Sequence, residues 1–499
     1  MKNFNIIYLL LVLLNILIGL VYSAPILSLD LGADSIKVGL LNTGQPLDVV
    51  LDKDSSRKLL SSITFKTNNG NERLFGKQSH QQSTRFPNSS FNNLKLLISK
   101  SIDSDAFDRW SDIWSFNSPI SSNRNSIEFN LRNFDNPFSV EELLAMQFTY
   151  AKDLAQATLG EPVKDTVLTL PPYFSTFERQ SILDALNLAS LKPLALINDG
   201  SAVAINYAMT RNFDNPTKHI IYDAGASSIS ATVVEFSSIP SSAPKSKFSS
   251  SKSKNETVIN VMGVGYDDTV GGMDFDNRLR SLLADAFDAQ YKGKLDPEWR
   301  LNGRAWNKLL LEANRVKHIL SANSDAQATI EGLYDEFDFK AKVSRSDLNS
   351  ITSDFKSNYT AAIDTALNVA GIKLDDISSI ILTGGASRIP IVQSSVREYV
   401  NNDDKKISTS VNADEAAALG SAFYGASLSK SFKTKPLKLN EAVVFDMIAS
   451  VNEDEETYNL WSRGQQLPVE KSLKLKPKDT KVAIEYDQHS IPQLVSSFN

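Results

Sequence analysis

Apolar and polar positions alternate along the chain in two rhythms. Ile26 to Leu29 is a short β-type run that ends in Asp30-Leu-Gly32, and a second run, Ile36 to Leu41, follows it. Two such runs around a glycine-containing turn predict a β-hairpin. The pattern returns at Ile220 to Tyr222, Asp223-Ala-Gly225 and Ile229 to Val234. DLGADSI (30–36) and DAGASSI (223–229) share Asp, Gly, Ala, Ser and Ile at equal offsets, 193 residues apart. A repeat at that distance predicts a duplicated domain with two related, facing lobes.

Between the hairpins the period becomes helical. Ser139-Val-Glu-Glu142 has the capping-box pattern, Leu144, Phe148, Ala151 and Ala155 share a face, and Gly160 with Pro162 ends the helix. Val167 to Leu170 reads as a buried strand stopped by Pro171-Pro172, and Ser175 to Glu178 caps the next helix. Leu194 to Ile197 is a strand leading into Asn198-Asp199-Gly200, and Ile377 to Leu382 one leading into Thr383-Gly384-Gly385-Ala386, with a helix after Pro390. Strands alternating with helices predict an α/β fold. Ser237 to Lys254 is rich in Ser, Lys and Pro and predicts a flexible loop. From about Pro436 helical periodicity is lost; 472–476 and 481–486 alternate as strands and 463–468 reads as a turn, a small β module.

The amino terminus has its own pattern. Lys2 precedes an apolar run from Ile6 to Leu20, short for a bilayer span and suited to a signal-peptide core cleaved after Ser23. The alternative is an uncleaved anchor. No later run is apolar enough to span a bilayer, so no membrane contact is expected after cleavage. Three glycosylation sequons, at Asn88, Asn255 and Asn358, fit a secretory compartment.

Composition narrows the chemistry. Lys and Arg number 52 against 58 Asp and Glu, a net charge of −6 that argues against nucleic-acid binding. The absence of cysteine excludes disulfides, thiolate nucleophiles and Cys-ligated metals. The four histidines, His80, His219, His318 and His489, form no closely spaced pair that predicts a metal site. Carboxylates, hydroxyls, lysines and backbone amides remain.

A D-x-G turn lets backbone N–H groups approach a phosphate and sets a carboxylate beside it that can hold Mg²⁺ through water. Two facing turns would clamp a triphosphate, with Asp30 and Asp223 flanking the metal and Asp199 positioning a water or completing the metal shell. Lys95, in a predicted helical stretch, is a candidate for the γ-phosphate or the attacking water, and Gly384-Gly385 would let a nucleotide lie against backbone. Each feature has a plainer reading: a hairpin turn, a solvated lysine, an αβ loop, an Asp N-cap. The set together points to nucleotide binding.

ILSLDLGADSIKVGL, VLTLPPYF, LALINDGSAVAINYA, VGGMDFDNRL, IILTGGASRIP and VNADEAAALGSAF, in that order, resemble the heat shock protein 70 family and through it the actin and sugar-kinase fold. GVGYDDTVGGMDFD (263–276) and PLKLNEAVVFDMI (436–448) resemble its large ER-lumenal branch, the hypoxia up-regulated, large glucose-regulated type. The resemblance implies a two-lobed actin-like ATPase domain, with duplicated ribonuclease-H-like lobes, followed by a partial β-sandwich substrate-binding module. It sets the signal peptide at 1–23, the nucleotide-binding domain at 25–430 (lobe I about 25–214, lobe II about 215–405, then a return helix), a linker at 431–439 and the partial β domain at 440–499.

Carried over by resemblance, Asp30, Gly32, Ala33 and Asp34 form the first phosphate turn, and Asp223, Gly225, Ala226, Ser227 and Ser228 the second. Lys95 and Asp199, with Asp223, take the catalytic positions, and Pro171 that of the interlobe switch. Gly271 and Gly272 match a phosphate-contacting pair. Lys317, His318 and Ser321 match the adenosine-clamping helix, Gly384, Gly385 and Arg388 the adenosine loop, and Asp414 a late pocket carboxylate. Departures put fast hydrolysis in doubt. Ala33 and Asp34 replace paired hydroxyls, and Asp34 brings negative charge near phosphate unless it points away. Asp199 stands for glutamate, Asn314 for an acid, His318 for arginine, and Ala226-Ser227 for two glycines.

The resemblance therefore implies an ER-lumenal chaperone that binds ATP or ADP with Mg²⁺. It would serve mainly as nucleotide-exchange factor for an ER partner of the binding immunoglobulin protein type, and hold unfolded polypeptides. The alternative is an autonomous, slow ATPase chaperone. A small-molecule kinase and a degenerate relative that only folds are further alternatives. The family's helical lid has no counterpart before Asn499, and no KDEL-like signal ends the chain. That fits either a partial chain or a form without peptide clamping.

Overall fold

The computed structural model describes residues 24–66, 72–114, 116–240, 255–429, 431–451, 456–473 and 482–486. The expected signal peptide, residues 241–254 of the expected loop and most of the strand expected at 472–476 lie outside these.

Two sheets carry the molecule. The first runs in the order Lys192–Asn198, Asp165–Leu170, Ile26–Leu31, Ser35–Leu41, Asp48–Val49, and Leu59–Leu60 also pairs with Ser35–Leu41. The second runs Ile407–Ser408, Ser379–Thr383, Thr217–Ala224, Ile229–Pro240, Asn255–Asp267, Leu437–Asn440. In each, three parallel strands are followed by two antiparallel ones. The repeat legible in two short turns is thus a repeat of whole sheets, and these mixed sheets with helices fit an actin-like ATPase fold.

Local chemistry sets the helix ends. Ser139 Oγ accepts from Glu142 N (3.2 Å) while Glu142 Oε2 accepts from Ser139 N (2.8 Å), and Gly160 closes that helix at φ 76°. Ser175 and Glu178 repeat the reciprocal cap on Thr176–Leu188. Each such cap is worth about 1 kcal/mol. Each sheet has its own apolar core, and a third core forms between helices Asp199–Met209 and Ala416–Leu428 and the strands beside them. The second of these helices follows lobe II in the chain yet packs on the first sheet, where Ser28 Oγ donates to Ala418 O (2.7 Å). A Cβ at Gly420 would overlap Ala202 O, so glycine lets the two helices touch. Among the described residues no helix is long and apolar enough to cross a membrane.

Three expectations change. The strand that begins at Ile229 continues to Pro240, because Ser237–Pro240 pair with Asn255–Val258. Lys95 sits in a single 3₁₀ turn, Leu94–Leu97. Most consequentially, residues 437–439 of the expected linker, together with Asn440, form a strand parallel to Asn255–Asp267, with Leu437 opposite Thr257 and Leu439 opposite Ile259. Leu437 and Leu439 pack inward while Lys438 stays exposed, so the edge of lobe II captures a segment that alternates as a strand does. Beyond it Met447–Val451 pairs with both Glu456–Trp461 and Val482–Tyr486, while Ser472 and Leu473 are not in a strand.

The docked segment ends at a buried acid. Glu441 accepts from Asn198 Nδ2 (3.1 Å), and Asn198 Oδ1 accepts from Arg179 (2.9 Å). Burial raises the Glu441 pKa despite the hydrogen bond from Asn198 and the nearby Ser201 and Arg179. The docked state therefore holds a proton more readily than the undocked one. Docking should weaken as pH rises from about 4.5, the ordinary value, through the raised one. Hydrogen-exchange protection of Leu437–Asn440, corrected for intrinsic rates, should fall over that range in the native chain and stay level in Glu441→Gln; equal slopes would contradict this.

Candidate functional site: a charged cleft between two hairpin turns

The two turns share a sequence pattern and differ in their hydrogen bonds. In the first, Gly32 N donates to Asp30 O (3.0 Å), and any Cβ on Gly32 would overlap Ser35 O. In the second, Gly225 N donates to Ser228 O (2.9 Å). Gly384, at φ 79°, completes the second site: a Cβ there would overlap Asp223 Oδ1, so glycine alone allows that carboxylate to lie against the third loop.

Asp30, Asp199 and Asp223 converge with Lys37 and Lys95. Asp30 Oδ1 accepts from Thr169 Oγ1 (2.6 Å), and Oδ2 pairs with Lys37 Nζ (3.3 Å). Burial pushes Asp199 up to about 8, with Asp223 adding to the rise and Lys95 and the Gly200 N–H opposing it. Burial and Asp30 lift Asp223 to about 6 against the pull of Lys37 and Lys95. Burial lowers Lys95 although Asp199, Asp30 and Asp223 oppose it. Burial also works against the Lys37 ammonium, but Asp30, Asp223 and Asp414 outweigh it and raise its pKa.

Carboxylates driven upward by burial and by one another, as Asp199 and Asp223 are, form a set that a divalent cation would relieve. Among the described residues no three His, Cys, Asp or Glu side chains stand close enough to ligate a metal directly. These acids therefore fit Mg²⁺ held through water and phosphate, the form in which that ion keeps most of its hydration shell.

Other sequence candidates are placed less directly. The Gly271 and Gly272 N–H groups are already committed, to Asp274 Oδ2 (2.6 Å) and Gly225 O (3.0 Å). A Cβ on Gly271 would overlap Ala226 O, so the pair locks the second turn by packing rather than offering amides to phosphate. Met273 N donates to Ala226 O (2.9 Å) and Arg109 to Ser227 O (2.9 Å), which holds this turn in place of the flexible glycines it lacks. Lys317 is bound to Asp276 (2.6 Å) and Gly272 O (2.9 Å), so its charge is spent locally; Ser321 Oγ donates to Lys317 O (3.0 Å). His318 is exposed on the same helix. Gly385 is exposed in the Gly384 loop.

Asp34 turns away from the acid cluster. Its carboxylate lines a recess with His80, Asn92, Asp276 and Asn314, and its charge acts on His80, Asp276 and His318. Asp414 spans the cleft: Arg388 of lobe II (2.7 Å) and Lys58 of lobe I (2.6 Å) both bind it and hold it down to about 2 against burial. Pro171 is buried at the end of its strand, and its carbonyl accepts from Phe174 N (3.1 Å). Arg179 gathers that loop, donating to Phe174 O (2.9 Å) and Asn198 Oδ1 (2.9 Å).

Sequence reasoning missed Lys37, Lys58, Asp276 and Arg109. A signal existed for Lys37 alone, because hairpin register sets it directly opposite Asp30. The others reach the cleft by tertiary packing.

Two D-x-G turns from duplicated lobes, with carboxylates and lysines between them, fit an α/β domain of the actin-like ATPase class. The family model described as Hsp70 protein matches residues 26–487, and the chain belongs to the heat shock protein 70 family. It is 38% identical over 441 residues to hypoxia up-regulated protein 1 of Xenopus laevis, covering 88% of this chain and 66% of the relative. It is 38% identical over 438 residues to heat shock protein 70 homolog lhs1 of Schizosaccharomyces pombe, covering 87% and 50%. The human hypoxia up-regulated protein 1 is 36% identical over 449 residues, covering 89% and 43%. The branch likeness read from 263–276 and 436–448 agrees with these relatives, and the chain spans less than two thirds of the length of the first of them.

Ionising Asp199 in the folded cleft is unfavourable. A folded pKa raised to about 8 from 3.8 means that stability falls as pH rises between those values. Asp199→Asn keeps an oxygen for the Gly200 N–H (2.7 Å) and removes the charge. In nucleotide-free urea titrations at pH 8 it should be more stable than the parent by about 1–3 kcal/mol, with a flatter pH profile. A less stable variant would contradict this charge assignment.

Proposed function

We propose that the chain is an ER-lumenal, ATP-binding chaperone component that acts mainly as a nucleotide-exchange factor for an ER heat shock protein 70 partner of the binding immunoglobulin protein type. The carrying observation is the cluster of Asp30, Asp199, Asp223, Lys37 and Lys95 between the two D-x-G turns, which supports binding of ATP or ADP. Asp30 and Asp223 would hold Mg²⁺ through water, and the ion would offset phosphate charge. Departures from an efficient hydrolytic site favour a slow ATPase. Ala33 offers no hydroxyl beside the first turn, Asp199 is shorter than glutamate, and the glycine pair at 271–272 has no free amide. Nucleotide would stabilise the partner-binding shape by binding it preferentially.

The second reading, an autonomous ATPase chaperone that couples turnover to unfolded polypeptides, draws on one observation. The docked strand ends at Glu441, which binds Asn198, the neighbour in sequence of Asp199.

Release of a fluorescent ADP analogue from the ER partner, followed by stopped flow with and without this chain preloaded with Mg-ATP, tests the proposal. Acceleration of roughly tenfold or more is expected, lost in Asp30→Ala and Gly225→Trp. No acceleration with ATP binding intact would refute the exchange role and favour the second reading.

Secretory placement is testable separately. Asn88 and Asn255 are exposed, whereas Asn358 is half-buried and its Nδ2 donates to Asp267 Oδ2 (2.7 Å). A glycan on that nitrogen would leave it a single N–H and would crowd a half-buried position. Mass spectrometry of the secretory-pathway product should find glycans at Asn88 and Asn255 and none at Asn358; unmodified Asn88 and Asn255 would count against lumenal residence.

A further inference from the structure

The two hairpins are near-copies, and one difference between them lies inside the cleft. Antiparallel register sets Lys37 opposite Asp30 in the first hairpin and Ser230 opposite Asp223 in the second. Directly opposed residues on one face stand close enough for their side chains to interact. The first carboxylate therefore has a resident cation, and the second has a buried hydroxyl at the matching position.

Lys37 is placed by the backbone of a central strand, between Ile26–Leu31 and Asp48–Val49, and not by a loop. Its ammonium lies over the phosphate turn, 3.4 Å from where a Gly32 Cβ would be. Its pair with Asp30 Oδ2 is loose, at 3.3 Å, while Thr169 occupies Oδ1. An ammonium has three donors, and one long pair leaves capacity for phosphate oxygens. Lys317 provides a contrast: its ammonium bonds Asp276 at 2.6 Å and Gly272 O at 2.9 Å and is committed to the protein.

We propose that Lys37 is a phosphate-binding residue of this cleft, a built-in cation that lets nucleotide bind with reduced dependence on Mg²⁺. The inference rests on the nucleotide-binding reading above and adds a residue and a metal dependence to it. A lysine used only to neutralise Asp30 would support the fold equally in the presence and absence of Mg²⁺. A lysine that binds phosphate matters most when Mg²⁺ is removed, because the phosphate then has fewer cations to share.

Equilibrium titration of the full chain with ATP and with ADP, in excess Mg²⁺ and in EDTA, separates these cases. Lys37→Met should weaken binding in EDTA by about ten- to a hundredfold and clearly less in Mg²⁺, and Lys37→Arg should restore most of the EDTA affinity. Lys37→Ser, which copies the polar position of the second hairpin, should behave as Lys37→Met does and serves if that variant unfolds; a melting curve of each nucleotide-free variant reports folding. Equal losses in Mg²⁺ and EDTA, or no loss in EDTA, would overturn the role of Lys37 while leaving nucleotide binding standing. Failure of the unsubstituted chain to bind either nucleotide in Mg²⁺ would overturn the nucleotide-binding reading and this inference with it.

Discussion

The structure turns on the burial of three carboxylates at one place. Asp30, Asp199 and Asp223 come from three strand ends in two lobes, and each raises the energy of ionising another. Lys37 and Lys95 offset only part of that repulsion, since two ammoniums against three ionised carboxylates leave an excess negative charge. Such an arrangement is costly for a fold that has only to be stable. Much of the surrounding geometry exists to maintain it. Thr169 holds one oxygen of Asp30, and Gly32 and Gly384 permit turns that no other residue could make in the space available. Arg109 and the 271–273 backbone brace the second turn.

What was legible in the sequence follows from how local each feature is. Both hairpins and the two capping boxes depend on contacts within a few residues, and the strands before Pro171 and Asn198, though paired with distant strands, carry their own apolar runs and stop signals, so alternation and end signals located them. The duplication was legible because the turn chemistry itself repeats. The destination of the glycine pair was not: 271–272 reads as a phosphate loop, but its amides are taken by Asp274 and Gly225, a contact across about forty-five residues of chain that no periodicity records. The docked strand at Leu437–Asn440 was hidden for a related reason. Its Leu-Lys-Leu-Asn alternation is visible, but only the free edge of Asn255–Asp267 makes it part of lobe II rather than a connector.

Charge pairs complete the closure of the cleft on its other side. Asp414 and Glu415 lead into the helix that packs on the first sheet, and they bind Lys58 and Arg57 of lobe I, while Asp414 also binds Arg388 of lobe II. The cationic partners are partly exposed, so each pair is modest in energy and screened by salt. The clasp therefore adds little to the apolar core between Asp199–Met209 and Ala416–Leu428, which holds without dependence on salt.

The strand Lys192–Asn198 joins these parts with very little material. Its last residue, Asn198, bonds Glu441 on one side and Arg179 on the other. The next residue, Asp199, belongs to the carboxylate cluster. Consecutive residues at a strand end project in different directions, so a single peptide unit presents one side chain to the cleft and one to the docked segment. Arg179 extends the connection by holding the carbonyl of Phe174, whose ring lies beneath Lys95 at 6.0 Å. A displacement of the strand end or of the Pro171–Phe174 loop therefore moves a cleft charge and a Glu441 partner together. Because both groups are packed and hydrogen-bonded, neither can relax alone, and the separation between the charged cleft and the docked segment is one residue at Asn198–Asp199.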